Sequence, residues 1–309
     1  MAKIWTIGEI LVEIMRPAAD MPLSVPATFR GPFPSGAPAI FADSVARLGG
    51  KSAIIGAVGD DDFGRMTVER LKSDGVDVRY VGVSPLSTGC AFVSYKSDGS
   101  RSFIFHMGNA ACGDVVVPDE LSPEPGDVLH VCGCSVSASP AMGGNILKVL
   151  RKFVAAGCRV SFDPNIRPEL LRDDSSAAMI REVIDNTSYL LPGVGELLTV
   201  SGCGTVEEAV TKMFANPKLE IIALKDGSRG CRIYTRDRVV SHGIYEVEVL
   251  DATGAGDSFD AAFVLGMVEG KSVDEIAETA SAAAALAVAG FGPMEGNVTA
   301  DAVKALIGK

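Results

Sequence analysis

The stretch best equipped for chemistry is DATGAGDSF, residues 251 to 259, where small residues lie between two aspartates ahead of an apolar helical run. Gly254 and Gly256 permit positive φ and the close approach of a ligand. Successive backbone N–H groups at a turn that opens a helix form a nest at the positive end of the helix dipole. Such a nest suits a phosphate or developing oxyanion charge. A fixed carboxylate at Asp257 would repel an anion there unless it has a second task, and accepting a proton from an attacking hydroxyl is one. An anion hole beside a base is what phosphoryl transfer asks for, because its catalysis is mostly positioning and charge stabilisation. The plainer alternative is a tight turn whose Asp caps a helix. The chain contains neither G-x-x-x-x-G-K-[ST] nor a G-x-G-x-x-G after a strand, which argues against a standard P-loop and a dinucleotide fingerprint.

Positioning such a turn requires a scaffold. Short apolar runs ending in Gly, Pro or Asp (IWTIG, SAIIGAVG, DVLHVCG, RVSFDPN, SYLLPG, EIIALKDG) read as buried strands of a parallel sheet. Between them APAIFADSVARLGG, FGRMTVERLKSDG, NILKVLRKFVAAG, DSFDAAFVLGMVEG and VDEIAETASAAAALAVAG carry helical spacing. Alternating strands and helices imply a layered α/β fold with crossover connections. Two stretches break the rhythm. Residues 12–33 are rich in Pro, and CAFVSYKSDGSRSFIF alternates about Ser97-Asp98-Gly99 as an antiparallel hairpin. Both follow core strands, so a small β appendage over the carboxyl ends of the sheet is expected, in the place of a lid.

The 309 residues, 47% hydrophobic and 22% charged, allow one large domain with an appendage. A net charge of -11 argues against a sequence-independent grip on nucleic acid. The N-terminal run is interrupted by Glu9 and Glu13 and fits neither a secretory signal nor a membrane span, so a cytoplasmic protein is expected. Seven scattered cysteines without C-x-x-C spacing suggest reduced thiols, and the histidines form no metal signature.

The chain resembles the PfkB-type carbohydrate kinases, with the ribokinase-like fold. DATGAGDSFDAAF resembles the family's C-terminal signature, PSGAPAIFADSVARLGG its N-terminal one, GAVGDDDFGRMTVERLKSDGVD its early helix region, and FDPNIRPELL the segment of ketose and keto-deoxy-sugar kinases. The resemblance implies an α/β/α core with a mostly parallel sheet (residues 1–11, 34–85 and 113–309) and a small β lid (12–33 and 86–112). It implies ATP-dependent phosphorylation of a sugar hydroxyl, with Mg²⁺ and, in this neighbourhood of some members, a monovalent cation such as K⁺. By the same resemblance Asp257 is the general base, Gly254, Ala255 and Gly256 stabilise the transferring phosphoryl group, and Asp251 and Thr253 shape the turn. Lys225, Gly227 and Gly230 of KDGSRG lie near ATP, Asn165 near the phosphates, and Glu196 organises Mg²⁺ through water. Glu13, Ser35 and Gly36 fall where members bind sugar. For Glu13 an outward place on the first strand is the alternative. Arg167 either contacts sugar or phosphate or closes an ion pair.

The departures bear on the substrate. Ile40 and Gly193 stand where members often carry Asn, and a lost buried polar partner is worth about 1–3 kcal/mol, enough to change substrate preference. His106 in FIFHMGNAA stands in the segment where keto-deoxygluconate kinases place an arginine, and an imidazole is a poorer fork for a carboxylate. A neutral ketohexose, tagatose- or fructose-like, is therefore expected. A keto-deoxy-sugar acid, a nucleoside, a non-catalytic sugar sensor and an oxidoreductase are the alternatives. A homodimer through the lid is also expected, since pairing hides a sheet edge.

Overall fold

Strands that are apolar on both faces need a helical layer on each side, and that is how these runs are arranged. The structure, a computed structural model, describes residues 2–97, 100–167 and 174–308. Its strands are β1 (Lys3–Ile7), β2 (Leu11–Ala19), β3 (Arg30–Ser35), β4 (Lys51–Gly59), β5 (Asp77–Ser84), β6 (Gly89–Tyr95) and β7 (Arg101–His106). They continue with β8 (Val128–Cys132), β9 (Arg159–Asp163), β10 (Tyr189–Leu190), β11 (Ile221–Lys225), β12 (Cys231–Tyr234) and β13 (Val239–His242). The helices are α1 (Ala37–Arg47), α2 (Asp62–Ser73), α3 (Gly133–Ala138), α4 (Pro140–Ala155) and α5 (Asp174–Asp185). After them come α6 (Val194–Ser201), α7 (Val206–Met213), α8 (Ala255–Glu269), α9 (Val273–Val288) and α10 (Ala300–Ile307).

The large sheet runs β13-β12-β11-β10-β9-β8-β1-β4-β5. Pairing is parallel from β11 to β5, and β12 and β13 add antiparallel at one edge. Period-two alternation sends Ile222 and Leu224 to one face, where they pack with Ile146, Leu150 and Phe153 of α4. Ile221 and Ala223 go to the other, against Phe41 of α1 and Phe263 of α8. Each such buried phenylalanine contributes about 1.5–3 kcal/mol. This is the α/β/α core that the sequence implies, and among the described residues no helix is long and apolar enough to cross a membrane. All the cysteines, Cys90 to Cys231, are free thiols.

The small sheet runs β3-β2-β6-β7. It takes in Leu11, Pro34 and Ser35, residues expected in the core. The predicted hairpin forms, β6 against β7, although Asp98 and Gly99 of its turn lie outside the described residues, as do residues 168–171 of FDPNIRPELL. The register aligns Glu13 with Ala91 and Ala91 with Phe105, and sets Tyr95 opposite Arg101. Alternation therefore puts Glu13, Tyr95, Arg101, Phe103 and Phe105 on one face and Phe92, Ile104 and His106 on the other. β2 and β6 follow the carboxyl ends of β1 and β5, so the first of these faces looks onto the carboxyl edge of the large sheet. Asp163, Gly193, Lys225 and the 251–257 turn stand on the same edge, the usual ligand side of an open α/β sheet.

Candidate active site

Helix α8 opens from Gly254, which holds a left-handed φ of 81°. A Cβ there would run into the carbonyl oxygen of Pro293, so only glycine gives this turn its shape. Asp251 fastens the turn from behind. Its Oδ1 accepts from Thr253 N at 2.9 Å and Thr253 Oγ1 at 2.8 Å, and its Oδ2 accepts from Gly292 N at 3.1 Å. The first amides of a helix have no intrahelical acceptor. The first close bond of α8 runs from Ser258 N to Gly254 O at 2.9 Å, whereas Ala255 N makes a long bond of 3.5 Å to Ala252 O. The amide of Gly256 is thus free to meet an anion, and that of Ala255 is held only by its long bond.

Asp257 follows in the first turn of α8. Its side chain lines a cavity of about 380 Å³ together with Gly254 and Gly256, and its buried Oδ1 has no hydrogen-bond partner. Burial pushes the carboxyl up to about 7; the Asp163 charge adds to the shift, and the Lys225, Arg167 and Arg101 charges oppose it. An unpartnered carboxylate facing a cavity beside these amides can take a proton from a hydroxyl held there.

Lys225 is less free than expected. Its Nζ lies 3.0 Å from Asp163 Oδ2 and 3.0 Å from both carboxylate oxygens of Asp260. The ammonium is therefore committed to a buried ion triad that ties β9, β11 and α8 together under the cavity floor. Gly227 and Gly230 follow, and a side chain at Gly230 would meet the His242 carbonyl. Both border a second, apolar cavity of about 670 Å³ walled by Val247, Val249, Phe259 and Ala285. The two cavities share Lys225, Gly227, Ala252 and Gly256, so one elongated ligand can occupy both.

At the other end of the first cavity stand Glu13, Gly36, Arg101 and Arg167. Glu13 faces inward. Its Oε1 accepts from Ser35 Oγ at 2.8 Å, its Oε2 is buried without a partner, and burial raises the carboxyl to about 7. Ile40 lines the wall where an asparagine was expected. Arg167 and Arg101 share the ring of Phe103, with guanidinium carbons 5.5 Å and 5.8 Å from its centroid. Burial, then the Arg167 charge, lowers the Arg101 guanidinium.

His106 is a correction. It is exposed and sits edge-on to Phe92 at 5.8 Å on the outer face of the small sheet. Phe105, its neighbour in sequence, takes the inward place, and the cavity carries two guanidinium groups instead. The argument for a neutral substrate from His106 therefore falls. Arg101 escaped the sequence reading although it alternates with Phe103 and Phe105, a signal that becomes usable once the inward face is known.

Glu196, Asp163 and Asn165 line the cavity side by side. Glu196 Oε1 accepts from Ile166 N at 2.9 Å and Oε2 from Gly193 N at 2.7 Å. Gly193 thereby contributes a backbone bond where a side chain was expected. Each carboxylate oxygen keeps a further lone pair toward the cavity. Hard oxygen donors, few and pre-oriented, fit Mg²⁺, which retains most of its shell as water and phosphate oxygen. Among the described residues no cluster of three or more His, Cys, Asp or Glu could hold a metal unaided.

A family profile described as pfkB family carbohydrate kinase matches residues 1–300. A fructokinase of Klebsiella pneumoniae is 32% identical over 284 residues, 90% of this chain and 88% of that protein. A candidate ribokinase II from E. coli, solved with ATP and Mg²⁺, superposes with a TM-score of 0.90 at 37% identity, covering 100% of this chain and 99% of that one. A double mutant of Vibrio cholerae fructokinase, with fructose, ADP and potassium ion bound, superposes with a TM-score of 0.87 at 25% identity, covering 99% and 98%. With the profile spanning nearly its whole length and its fold shared throughout, the chain belongs to the pfkB family of carbohydrate kinases.

Proposed function

We propose that this chain transfers the γ-phosphoryl group of ATP to a primary hydroxyl of a free ketohexose of the fructose or tagatose type. The observation that carries the reading is the unpartnered Oδ1 of Asp257 in the cavity beside the free amide of Gly256 and the weakly held amide of Ala255. Asp257 takes the hydroxyl proton while those amides meet the transferred group. Glu13, with Ser35 beside it, accepts sugar hydroxyls. The apolar cavity suits the base and ribose of ATP, with Gly227 and Gly230 giving it close backbone approach. Mg²⁺ held near Glu196, Asp163 and Asn165 supplies charge neutralisation on the phosphates. The small sheet acts as the lid that keeps water from the bound phosphates.

Arg101 and Arg167 favour a second reading, a keto-deoxy-sugar acid whose carboxylate they would clasp. A coupled ATP-turnover screen over ketoses, aldoses and sugar acids decides between them. Fructose or tagatose heading the ranking supports the first reading, and a sugar acid heading it supports the second. Sugar-independent turnover alone removes both.

Asp251 Oδ2, to which Gly292 N donates, keeps a lone pair that a monovalent cation would share with main-chain carbonyls; potassium titration of the rate tests for one. The outer face of the small sheet, with Ile104 48% exposed, suits a homodimer, which sedimentation tests. The free cysteines and the use of ATP suit a cytoplasmic place.

A further inference from the structure

The small sheet does more than roof the cavity, because it reaches across to the turn that presents the anion-binding amides. Tyr95, at the end of β6, points its hydroxyl at Asp251 Oδ1, 2.9 Å away, and lies 3.4 Å from Thr253 Oγ1. Its cross-strand partner Arg101 donates from Nη1 to the same Thr253 Oγ1 at 3.2 Å. Asp251 and Thr253 are the residues that fix the turn into Gly254. Burial, with the Asp251 charge adding to it, raises the Tyr95 hydroxyl well above its ordinary value, so it remains a donor at working pH. The bond to Asp251 is charge-assisted and half-buried, the kind whose loss is felt most.

We propose that Tyr95 is a positioning residue through which the small sheet sets the geometry of the phosphoryl-binding turn. This rests on the kinase reading above. Glu13 and Tyr95 lie on the same face of the sheet, so a sugar that holds the sheet down through Glu13 also holds the Tyr95 hydroxyl on Asp251. The Tyr95 and Arg101 contacts hold the Gly254–Gly256 turn in the shape seen here, and a sugar seated on Glu13 keeps the sheet where it makes them. A sheet that lifts withdraws a donor from Asp251 and an arginine from Thr253 together, and the turn relaxes. ATP without sugar then meets a poorly formed cradle, which keeps futile hydrolysis slow.

Tyr95→Phe removes the hydroxyl and little else. The expected result is a kcat about tenfold lower with the sugar KM within about twofold of wild type. Asp251→Asn combined with Tyr95→Phe should cost no more than the larger single effect, because the two share one bond. Hydrogen exchange supplies a readout free of catalysis: Tyr95→Phe should speed exchange in the 250–257 segment while β8 and β9 keep their protection. Fructose alone should slow the same segment in the wild type. Unchanged kcat with unchanged exchange overturns the proposal, as does a proportional loss of kcat, KM and melting temperature, which marks a merely structural tyrosine. If no sugar stimulates ATP turnover, the kinase reading fails, and the exchange comparison on Tyr95→Phe alone decides the tie between sheet and turn.

Discussion

Lys225 Nζ lies 3.0 Å from both carboxylate oxygens of Asp260, in the same helix as Asp257 and at i+3 from it. The contact fastens the end of β11 to the first turns of α8, so the strand that borders the apolar cavity and the helix that carries Asp257 move as one piece. Burial opposes the Lys225 charge, but the Asp163 and Asp260 carboxylates outweigh it and raise the ammonium well above its ordinary value. Removing one member of a buried charge group leaves the others unpaired, which commonly costs about 3–5 kcal/mol. Lys225→Met is therefore expected to lower the unfolding free energy by about that amount in denaturant titration. Unfolding midpoints equal to wild type would show that the triad is not a structural tie.

Asp257→Asn keeps the shape of the side chain and removes its basicity. General base catalysis contributes roughly 10²–10⁴-fold, so kcat should fall by that factor while calorimetry still detects sugar binding close to wild-type affinity. A variant turning over at the wild-type rate would take the base role from Asp257.

The pH dependence follows from the same carboxyl. With Asp257 raised to about 7 by burial, kcat/KM should fall on the acid side with an apparent midpoint near that value rather than near the ordinary carboxylate range of about 4. The linkage to stability has the opposite sense. A folded-state value above the unfolded one means that the stability due to the protonated group is present below about pH 4 and lost as the pH climbs to about 7. Asp257→Asn should accordingly melt higher than wild type at pH 8, with the gain shrinking toward pH 5. A midpoint near 4 in the rate profile, or no pH-dependent difference in melting, would contradict the buried, unpartnered carboxyl.

Glu13→Gln tests the sugar end. One amide nitrogen replaces an acceptor in a site where Oε2 awaits a donor, and a lost charged hydrogen bond is worth about 1.5–3 kcal/mol. The sugar KM should rise roughly ten- to a hundredfold while the ATP KM stays put. An equal rise in both would place Glu13 outside the sugar site.

The turn at Gly254 and the layered core were legible because their determinants are contiguous. Gly254 must be glycine for its own φ, and the apolar runs of β1, β8 and β11 carry their burial within a few residues. His106 and Arg101 show where that ends. Both belong to β7, and a shift of one position exchanges the inward and outward faces of a strand. The pairing of β7 with β6, and of β6 with β2, decides that Arg101 looks into the cavity while His106 looks away.

The sequence alone determined the family, the order of strands and helices, and the glycine turn that opens α8, since each of these is written in local spacing. Only the tertiary structure decided that Lys225 is bound to Asp163 and Asp260, that Glu196 is held by the amide of Ile166, and that Tyr95 reaches Asp251. Those partners lie from about 30 to more than 150 residues apart in the chain. No local propensity encodes such pairs. They arise when packed layers bring charged and polar groups together away from water, where each must find a partner or remain costly.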